Sequence, residues 1–199
     1  MLRSVSFVLV FASVFALAAF GVTASDTSAA EPEAAALIAL NEMVPLGLRK
    51  VLPDGYVIEY GEEAARWWRQ AAKSIDQGWL MTLDYGFTAG SAILPERVGG
   101  TLRGYRRHQV THDLLSNPGQ QDLTAHVHFE RLRITGESCG LRTEFFGSQE
   151  RFLVYAMQEL GSAGQEALMQ NADRLRQFKT LIHPDHFGHS FQVLVQSRS

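Results

Sequence analysis

A change of hydrophobic period between residues 55 and 84 constrains the fold of this chain most strongly. Residues 55–60 (GYVIEY) are β-rich and bounded by turn residues, which predicts a strand. From Glu62 to Ile75 apolar residues recur along one helical face, and Gly78 ends the pattern. Residues 79–84 then form an apolar run short enough for a strand buried on both faces. A strand, a helix and a second strand in this order predict a right-handed parallel crossover.

The rest of the chain continues the alternation of helices and strands. The pattern predicts helices over residues 127–139, 152–160 and 166–178, and strands over residues 141–146 and 190–196. We therefore expect an α/β fold whose mostly parallel sheet ends in antiparallel strands. A length of 199 residues, of which 46% are hydrophobic, fits one packed domain. The net charge of −3 argues against a dedicated nucleic-acid-binding protein.

The N-terminus has the pattern of a targeting segment. Residues 1–24 resemble a secretory signal peptide, because Arg3 precedes an apolar run over residues 7–22 and small residues precede Ser25. The run is short for a bilayer-spanning helix, so we expect cleavage; an uncleaved membrane anchor and a mitochondrial presequence stay open as alternatives. Residues 25–36 have the composition of a linker, and residues 37–199 are expected to form the folded part.

A polar segment over residues 99–129 is the first candidate for a functional site. It is punctuated by Gly99-Gly100 and Pro118-Gly119, and it is crowded with arginine, tyrosine, histidine and aspartate side chains. Asp84 and Tyr85 close the preceding strand at the sheet edge where α/β proteins gather ligands. Asp84 is expected either to hold a cation or a hydroxyl group, or to cap the loop amides that follow it.

Several common chemistries lack their sequence patterns. A strand would bring the rings of His126 and His128 to one face, but the apolar spacing favours a helix, which would turn them apart. No cysteine or carboxylate stands at a suitable spacing either, so no metal site is predicted. Neither a nucleophile elbow nor a phosphate-binding loop occurs. The basic cluster of Arg103, Arg106 and Arg107 is interpreted as a solvated face rather than an anion site. The lone Cys139 is interpreted as a small core residue.

A series of motifs resembles the C-terminal half of the MidA-like family, which includes mitochondrial complex I assembly methyltransferases. The most specific motifs are GGTLRGYRRH and PGQQDLTAHVHF, and the resemblance extends over about residues 50–197. It implies a class I, Rossmann-like methyltransferase fold that uses S-adenosylmethionine, with protein arginine as the substrate. One departure is His128, where the family pattern generally has an acid.

The family pattern also includes a cofactor-binding half that we do not find in this sequence. Its glycine-rich turn and ribose-binding acid have no counterpart, so the chain is expected to be truncated, split or complemented by another subunit. The turn at Tyr60-Gly61 is followed by Glu62 and Glu63, which would repel the cofactor's carboxylate. This turn and the Asn-Glu pair in residues 40–43 are interpreted as coincidences, and no cofactor-binding residue is assigned.

Two functions are predicted from these observations. The first is a methyltransferase-family protein that is inactive without the missing half, acts on a protein substrate and resides in the cytoplasm or mitochondrion. The second is a non-catalytic exported or assembly-type binding protein, for which a second copy or a complementing subunit is a candidate partner. The residues expected to orient a substrate are Asp84, Tyr85, Tyr105, His108, Asp122 and His126. Asp122 is alternatively expected to be the N-cap of the following helix.

Overall fold

The computed structural model describes residues 6–10, 41, 44–88, 91, 93–107, 109–111, 113–116 and 118–199. The strands found there are β1 (Ser6–Val10), β2 (Gly78–Phe87), β3 (Arg103–Arg106), β4 (Gln109–Thr111), β5 (Asp122–Thr124), β6 (Val127–His128), β7 (Arg142–Ser148) and β8 (Phe191–Arg198). The helices are α1 (Leu46–Arg49), α2 (Glu62–Lys73), α3 (Phe129–Ser138), α4 (Gln149–Glu159), α5 (Gly161–Met169) and α6 (Ala172–Ile182). A 3₁₀ turn at Pro95–Arg97 and a π turn at Pro184–Gly188 complete the elements.

Strand β2 is the centre of a mixed five-stranded sheet with the order β1-β2-β8-β7. On one edge of β2, β1 pairs in parallel with its first half and β6 pairs in parallel with its end. On the other edge, β8 is antiparallel to β2, and β7 is antiparallel to β8. In this sheet β1, β2, β6 and β7 therefore run in one direction and β8 runs opposite to them, as expected for a mostly parallel sheet that the end of the chain closes with an antiparallel strand. A small antiparallel sheet with the order β4-β3-β5 is formed by the polar segment.

The predicted strand over residues 55–60 is wrong. These residues lie beside the loop that ends at Leu102. Val57 N–H donates a backbone hydrogen bond to Val98 O at 2.8 Å, but the two segments do not form a ladder of such bonds in the described part of the chain. Side chains supply the other contacts, because Tyr56 donates its hydroxyl to Leu94 O at 2.8 Å and Glu59 accepts from loop amides. A β-rich sequence without a partner strand does not form a ladder, so the predicted parallel crossover is absent too.

The other predicted elements are confirmed with shifted boundaries. Helix α3 begins at Phe129 rather than Val127, because Val127 and His128 pair with the end of β2. The single helix expected over residues 166–178 is two helices, α5 and α6. Asn171 separates them, and its side-chain oxygen accepts a hydrogen bond from Arg174 N–H at 3.0 Å, which caps α6.

Helices α2 and α3 cover one face of the sheet and form the core with it. The core residues of these elements are Trp68, Ala72, Ile75, Leu80, Val127, Phe129, Leu132, Leu141 and Leu194. The polar side chain of Gln196 is completely buried beside them. It accepts from Trp68 Nε1 at 2.9 Å and donates to Arg133 O and Thr143 Oγ1, so its hydrogen-bonding groups are satisfied. Cys139 is half-buried against this core.

The predicted targeting segment falls largely outside the described residues. Its residues 6–10 form β1, and the signal peptide over residues 1–24 and the linker over residues 25–36 stay predictions. Among the helices that the structure describes, none is both long and apolar enough to cross a membrane.

Candidate functional site

A cavity of about 550 Å³ lies at the carboxyl end of β2. The end of β2 forms its floor, the segments around β3 and β5 form its walls, and the start of β8 closes one side. The residues that line it are Leu83, Asp84, Tyr85, Thr101, Arg103, Tyr105, Thr124, Ala125, His126 and Phe191. This is the end of the sheet at which α/β proteins bind their ligands.

Asp84 places a carboxylate at the cavity. It belongs to the buried face of β2, and 5% of its surface is exposed. Its Oδ1 accepts a hydrogen bond of 2.7 Å from the backbone N–H of Tyr85. Asp84 therefore contributes a buried carboxylate to the lining of the cavity.

Aromatic rings flank this carboxylate. The Tyr85 ring is 42% exposed and lies with its centroid 4.0 Å from that of Phe191. The His126 ring stacks nearly parallel to Tyr85, with 6.4 Å between centroids. Tyr105, from β3, is 39% exposed and lines the same cavity. The cavity therefore combines one carboxylate with exposed aromatic faces.

Glu59, which the sequence analysis did not single out, anchors the loop at Thr101, on one side of the cavity. Its Oε1 accepts from the N–H groups of Thr101, at 2.8 Å, and Leu102, at 2.7 Å, and its Oε2 accepts from the Thr101 hydroxyl. The hydroxyl oxygen of Thr101 in turn accepts from His126 N–H at 2.9 Å. The sequence contains no signal for this role beyond an acid within an apolar run.

Burial and nearby arginines keep His126 uncharged. Burial lowers the pKa of His126 below its ordinary value of 6.5, the positive charge of Arg97 lowers it further, and Glu59 partly opposes the shift. Its Nδ1 is buried without a hydrogen-bond partner in the described part of the chain. Arg103 lines the cavity as well, but its guanidinium donates to Leu102 O and Gly100 O. The neutral ring therefore adds no positive charge to the cavity at neutral pH.

His128 has a structural role outside the cavity. Its Nδ1 accepts from Arg131 N–H at 3.2 Å and caps α3, and its ring lies 5.0 Å from Phe87. Burial lowers the pKa of His128, and the adjacent Arg131 adds to the shift. The rings of His126 and His128 thus serve different contacts. No group of three or more side chains suited to a metal ion occurs among the residues placed by the structure.

The structure brings together four of the six predicted site residues. Asp84, Tyr85, Tyr105 and His126 line the cavity, and their catalytic roles stay predictions. Asp122 lies exposed in β5, opposite Tyr105, and does not line it. The N-cap interpretation of Asp122 is wrong, because α3 begins at Phe129 and His128 caps it. His108 lies outside the described residues.

The turn at Gly61, the described turn that most resembles a cofactor-binding turn, does not fit the nucleotide part of S-adenosylmethionine. Gly61 has a positive φ of 67°, which favours glycine at this turn. Arg131 packs 3.4 Å from the Tyr60 ring centroid and pairs with Glu62. This turn therefore packs against α3 through Arg131, and its surroundings do not fit a bound nucleotide.

Comparison with known proteins identifies the family. A family model of S-adenosyl-L-methionine-dependent methyltransferases matches residues 19–147, which is more than half of the chain. The chain belongs to this family. The MidA-like resemblance is confirmed, and the match begins well before residue 50, so it includes the Asn-Glu pair that the sequence analysis set aside as a coincidence. The cofactor of the family is S-adenosylmethionine.

Two curated relatives carry the name protein arginine methyltransferase NDUFAF7, mitochondrial. The protein from Danio rerio is 31% identical over 121 residues, which cover 59% of this chain and 26% of the relative. The protein from Xenopus tropicalis is 34% identical over 110 residues, which cover 49% of this chain and 24% of the relative. The chain thus spans about a quarter of the length of the curated relatives it matches.

Two solved structures from Burkholderia thailandensis share the fold. One, with S-adenosyl-homocysteine bound, is 27% identical, has a TM-score of 0.69, and is matched over 88% of this chain and 43% of that chain. The other, a native crystal structure of an uncharacterised protein, is 28% identical, has a TM-score of 0.66, and is matched over 73% of this chain and 40% of that chain. The mixed α/β architecture is therefore that of known methyltransferase-family structures.

Proposed function

We propose that this chain forms the acceptor-binding side of a methyltransferase that acts on protein arginine. The observation that carries the proposal is the buried Asp84 carboxylate at a cavity flanked by the Tyr85 and Tyr105 rings. A guanidinium group is planar and positively charged, pairs with carboxylates through two N–H groups and stacks on aromatic faces. The cavity offers both kinds of contact.

The charges around the cavity include both signs. Asp84 is the carboxylate of the lining, whereas Arg103 is a cation whose N–H groups donate to loop carbonyls and whose charge, with that of Arg97, lowers the pKa of His126. In this proposal a guanidinium therefore binds at Asp84, away from Arg103. The volume of about 550 Å³ lies in the range of small-molecule sites, so an arginine side chain and part of its backbone can enter.

The chain's own residues would bind and orient the acceptor. S-adenosylmethionine, when bound, would supply the methyl group to one guanidinium nitrogen and leave as S-adenosylhomocysteine, while that nitrogen loses one proton to solvent. Asp84 would fix the orientation of the guanidinium plane, and the aromatic rings would exclude water from it. In this proposal the residues that contact the cofactor lie outside the described part of the chain or in a complementing subunit.

The names of the curated relatives support arginine as the acceptor, although they belong to proteins about four times as long as the matched region. The same names state a mitochondrial location, which supports the location implied by the family resemblance. Export stays a prediction from the N-terminal sequence, and association with a second copy or a complementing subunit stays a prediction too. Family membership favours the methyltransferase over the non-catalytic binding protein.

The proposal is tested by binding of a short arginine-containing peptide to the purified chain, measured by calorimetry beside a matched lysine peptide. We expect the arginine peptide to bind more tightly. The substitution Asp84→Asn should weaken its binding about tenfold or more, since a charge-assisted hydrogen bond to a buried carboxylate is lost. Trp79→Phe is the control, because Trp79 lies at the opposite end of β2 and lines another cavity.

Equal affinity of the two peptides, or an Asp84→Asn variant that binds the arginine peptide as the unmodified chain does, would contradict the proposal. Thermal unfolding of each variant shows whether the fold is retained.

A further inference from the structure

We propose that Glu59 is a positioning residue, which sets the spacing of the acceptor cavity through Thr101 and His126 without lining the cavity itself. The inference rests on the proposed function for its consequence, but the hydrogen-bonded network can be tested without any ligand. Glu59 is not among the residues that line the cavity, whereas Thr101 and His126 both are.

The geometry concentrates three hydrogen bonds on one carboxylate. Glu59 accepts from the backbone of Thr101 and Leu102 and from the Thr101 hydroxyl. Thr101 itself is 8% exposed, so these donors have little access to water that could replace the carboxylate. Buried donors without an acceptor are costly, and the loop position at Thr101 therefore depends on Glu59.

Thr101 connects this loop to the neighbouring segment, which follows the strand β5 that pairs with β3. Its hydroxyl oxygen accepts from His126 N–H at 2.9 Å, so the segment that precedes α3 is tied to the loop that leads into β3. The two segments carry Tyr105 and His126, whose rings line the cavity. A shift of either segment would change the distance of these rings from Asp84.

The local backbone agrees with a close approach of Glu59. Gly100 has a positive φ of 71°, and a Cβ atom at this position would lie 3.1 Å from Glu59 Oε1. Glycine therefore permits both the turn and the contact of the carboxylate with the amides that follow.

Substitutions at Thr101 separate positioning from simple loss of stability. Thr101→Val keeps the shape of the side chain but removes the hydroxyl, which leaves His126 N–H without its acceptor. Thr101→Ser keeps the hydroxyl and should restore the network. Glu59→Gln retains one acceptor oxygen and replaces the other with an amide group that cannot accept from the Thr101 hydroxyl.

The experiment measures three quantities for the full chain and these variants: the affinity for the arginine peptide, the NMR signals and titration of the His126 ring, and the thermal unfolding midpoint. We expect Thr101→Val and Glu59→Gln to remain folded, to shift the His126 signals, and to bind the peptide about three- to tenfold more weakly. Thr101→Ser should behave like the unmodified chain. Glu59→Gln should also lower the pKa of His126, since Glu59 raises it in the unmodified chain.

The positioning role is overturned if Thr101→Val and Glu59→Gln leave both the His126 signals and the peptide affinity unchanged. It is also overturned if Thr101→Ser impairs binding as strongly as Thr101→Val. If Thr101→Val does not fold, the His126 signals and the peptide affinity of Glu59→Gln are compared with those of Thr101→Ser. Unchanged values in Glu59→Gln then overturn the positioning role. If the unmodified chain does not bind the peptide, the proposed function fails, whereas the His126 signals still test the network.

Discussion

Asp84 and Tyr85 are neighbours in β2 and yet reach the same cavity. Side chains of a strand alternate between its faces, and β2 follows this rule: Leu80, Thr82 and Asp84 are buried, whereas Trp79 and Tyr85 are exposed. At the end of the strand the sheet no longer separates the two faces. The cavity therefore receives a carboxylate from one face and an aromatic ring from the other.

Gly86, the next residue, allows β6 to approach β2 closely. A Cβ atom at Gly86 would lie 2.5 Å from Val127 O and would overlap the Phe129 ring. We expect Gly86→Ala to lower the free energy of unfolding by about 1–3 kcal/mol, because a backbone carbonyl and a buried ring must move. Denaturant unfolding monitored by circular dichroism measures this. Gly99→Ala is the matched control, since a Cβ atom there meets nothing within 4 Å, and it should change stability by less than about 0.5 kcal/mol.

At the scale of elements, Gln196 connects both core helices to the sheet. It bonds to Trp68 of α2, to the Arg133 carbonyl in α3 and to Thr143 of β7. We expect Gln196→Leu to lower the free energy of unfolding by about 2–4 kcal/mol, because it leaves buried polar groups unsatisfied. Gln192 lies in the same strand but is only partly buried. Gln192→Leu should therefore lower the free energy of unfolding much less in the same denaturant measurement. Similar losses for both variants would rule out a special role for Gln196.

The cap of α3 makes stability depend on pH. The pKa values of His126 and His128 are lowered in the folded chain, chiefly by burial, from an ordinary value of 6.5. The unfolded chain therefore binds more protons than the folded chain at mildly acidic pH. The contribution of these histidines to the free energy of unfolding is complete above pH 6.5 and is lost as the pH falls below 6.5 toward their lower pKa values in the folded chain. Protonation of His128 also removes the Nδ1 acceptor that caps α3.

The variant His128→Asn isolates this contribution, because asparagine caps helices without titrating. We expect the loss of unfolding free energy between about pH 7.5 and 5.5 to be smaller in His128→Asn than in the unmodified chain. Denaturant titrations at both pH values give the comparison. The carboxylates of Glu130 and Glu144, whose pKa values are lowered from 4.5, lose their contribution only in more acidic solution. An unchanged pH dependence in the variant would exclude His128 as a source.

At the scale of the whole molecule, the described residues form the cavity proposed to bind the acceptor, whereas the turn at Gly61 does not fit the cofactor's nucleotide. The turn at Gly61 is used for packing between α2 and α3, where Arg131 contacts Tyr60 and Glu62. We therefore expect the purified chain alone to show no binding of S-adenosylmethionine in calorimetry. A dissociation constant in the micromolar range would contradict this expectation. The arginine peptide serves as the positive control for a folded cavity.

The sequence alone was sufficient where local patterns decide structure. The helical spacing from Glu62, the apolar run that became β2, and the alternation that became β8 predicted elements that the structure confirms. The family motifs also fixed the family and its cofactor. The general position of ligand sites in α/β sheets also predicted Asp84 at a site, and Asp84 does line a cavity; its role in binding stays a prediction.

Tertiary contacts decided the rest, because they depend on which segments meet. Residues 55–60 have the composition of a strand, but they lie beside a loop rather than another strand. Their contacts with this loop are mostly side-chain hydrogen bonds, such as those of Tyr56 and Glu59. Helix α3 begins two residues later than predicted, because Val127 and His128 pair with the end of β2 as a strand. Glu59 and Gln196 accept hydrogen bonds from donors that lie more than 40 residues away along the chain, so the sequence around each residue does not predict its role. Sequence periodicity reports the burial of a residue's own segment, whereas the partner of a buried polar group is fixed only when the chain folds.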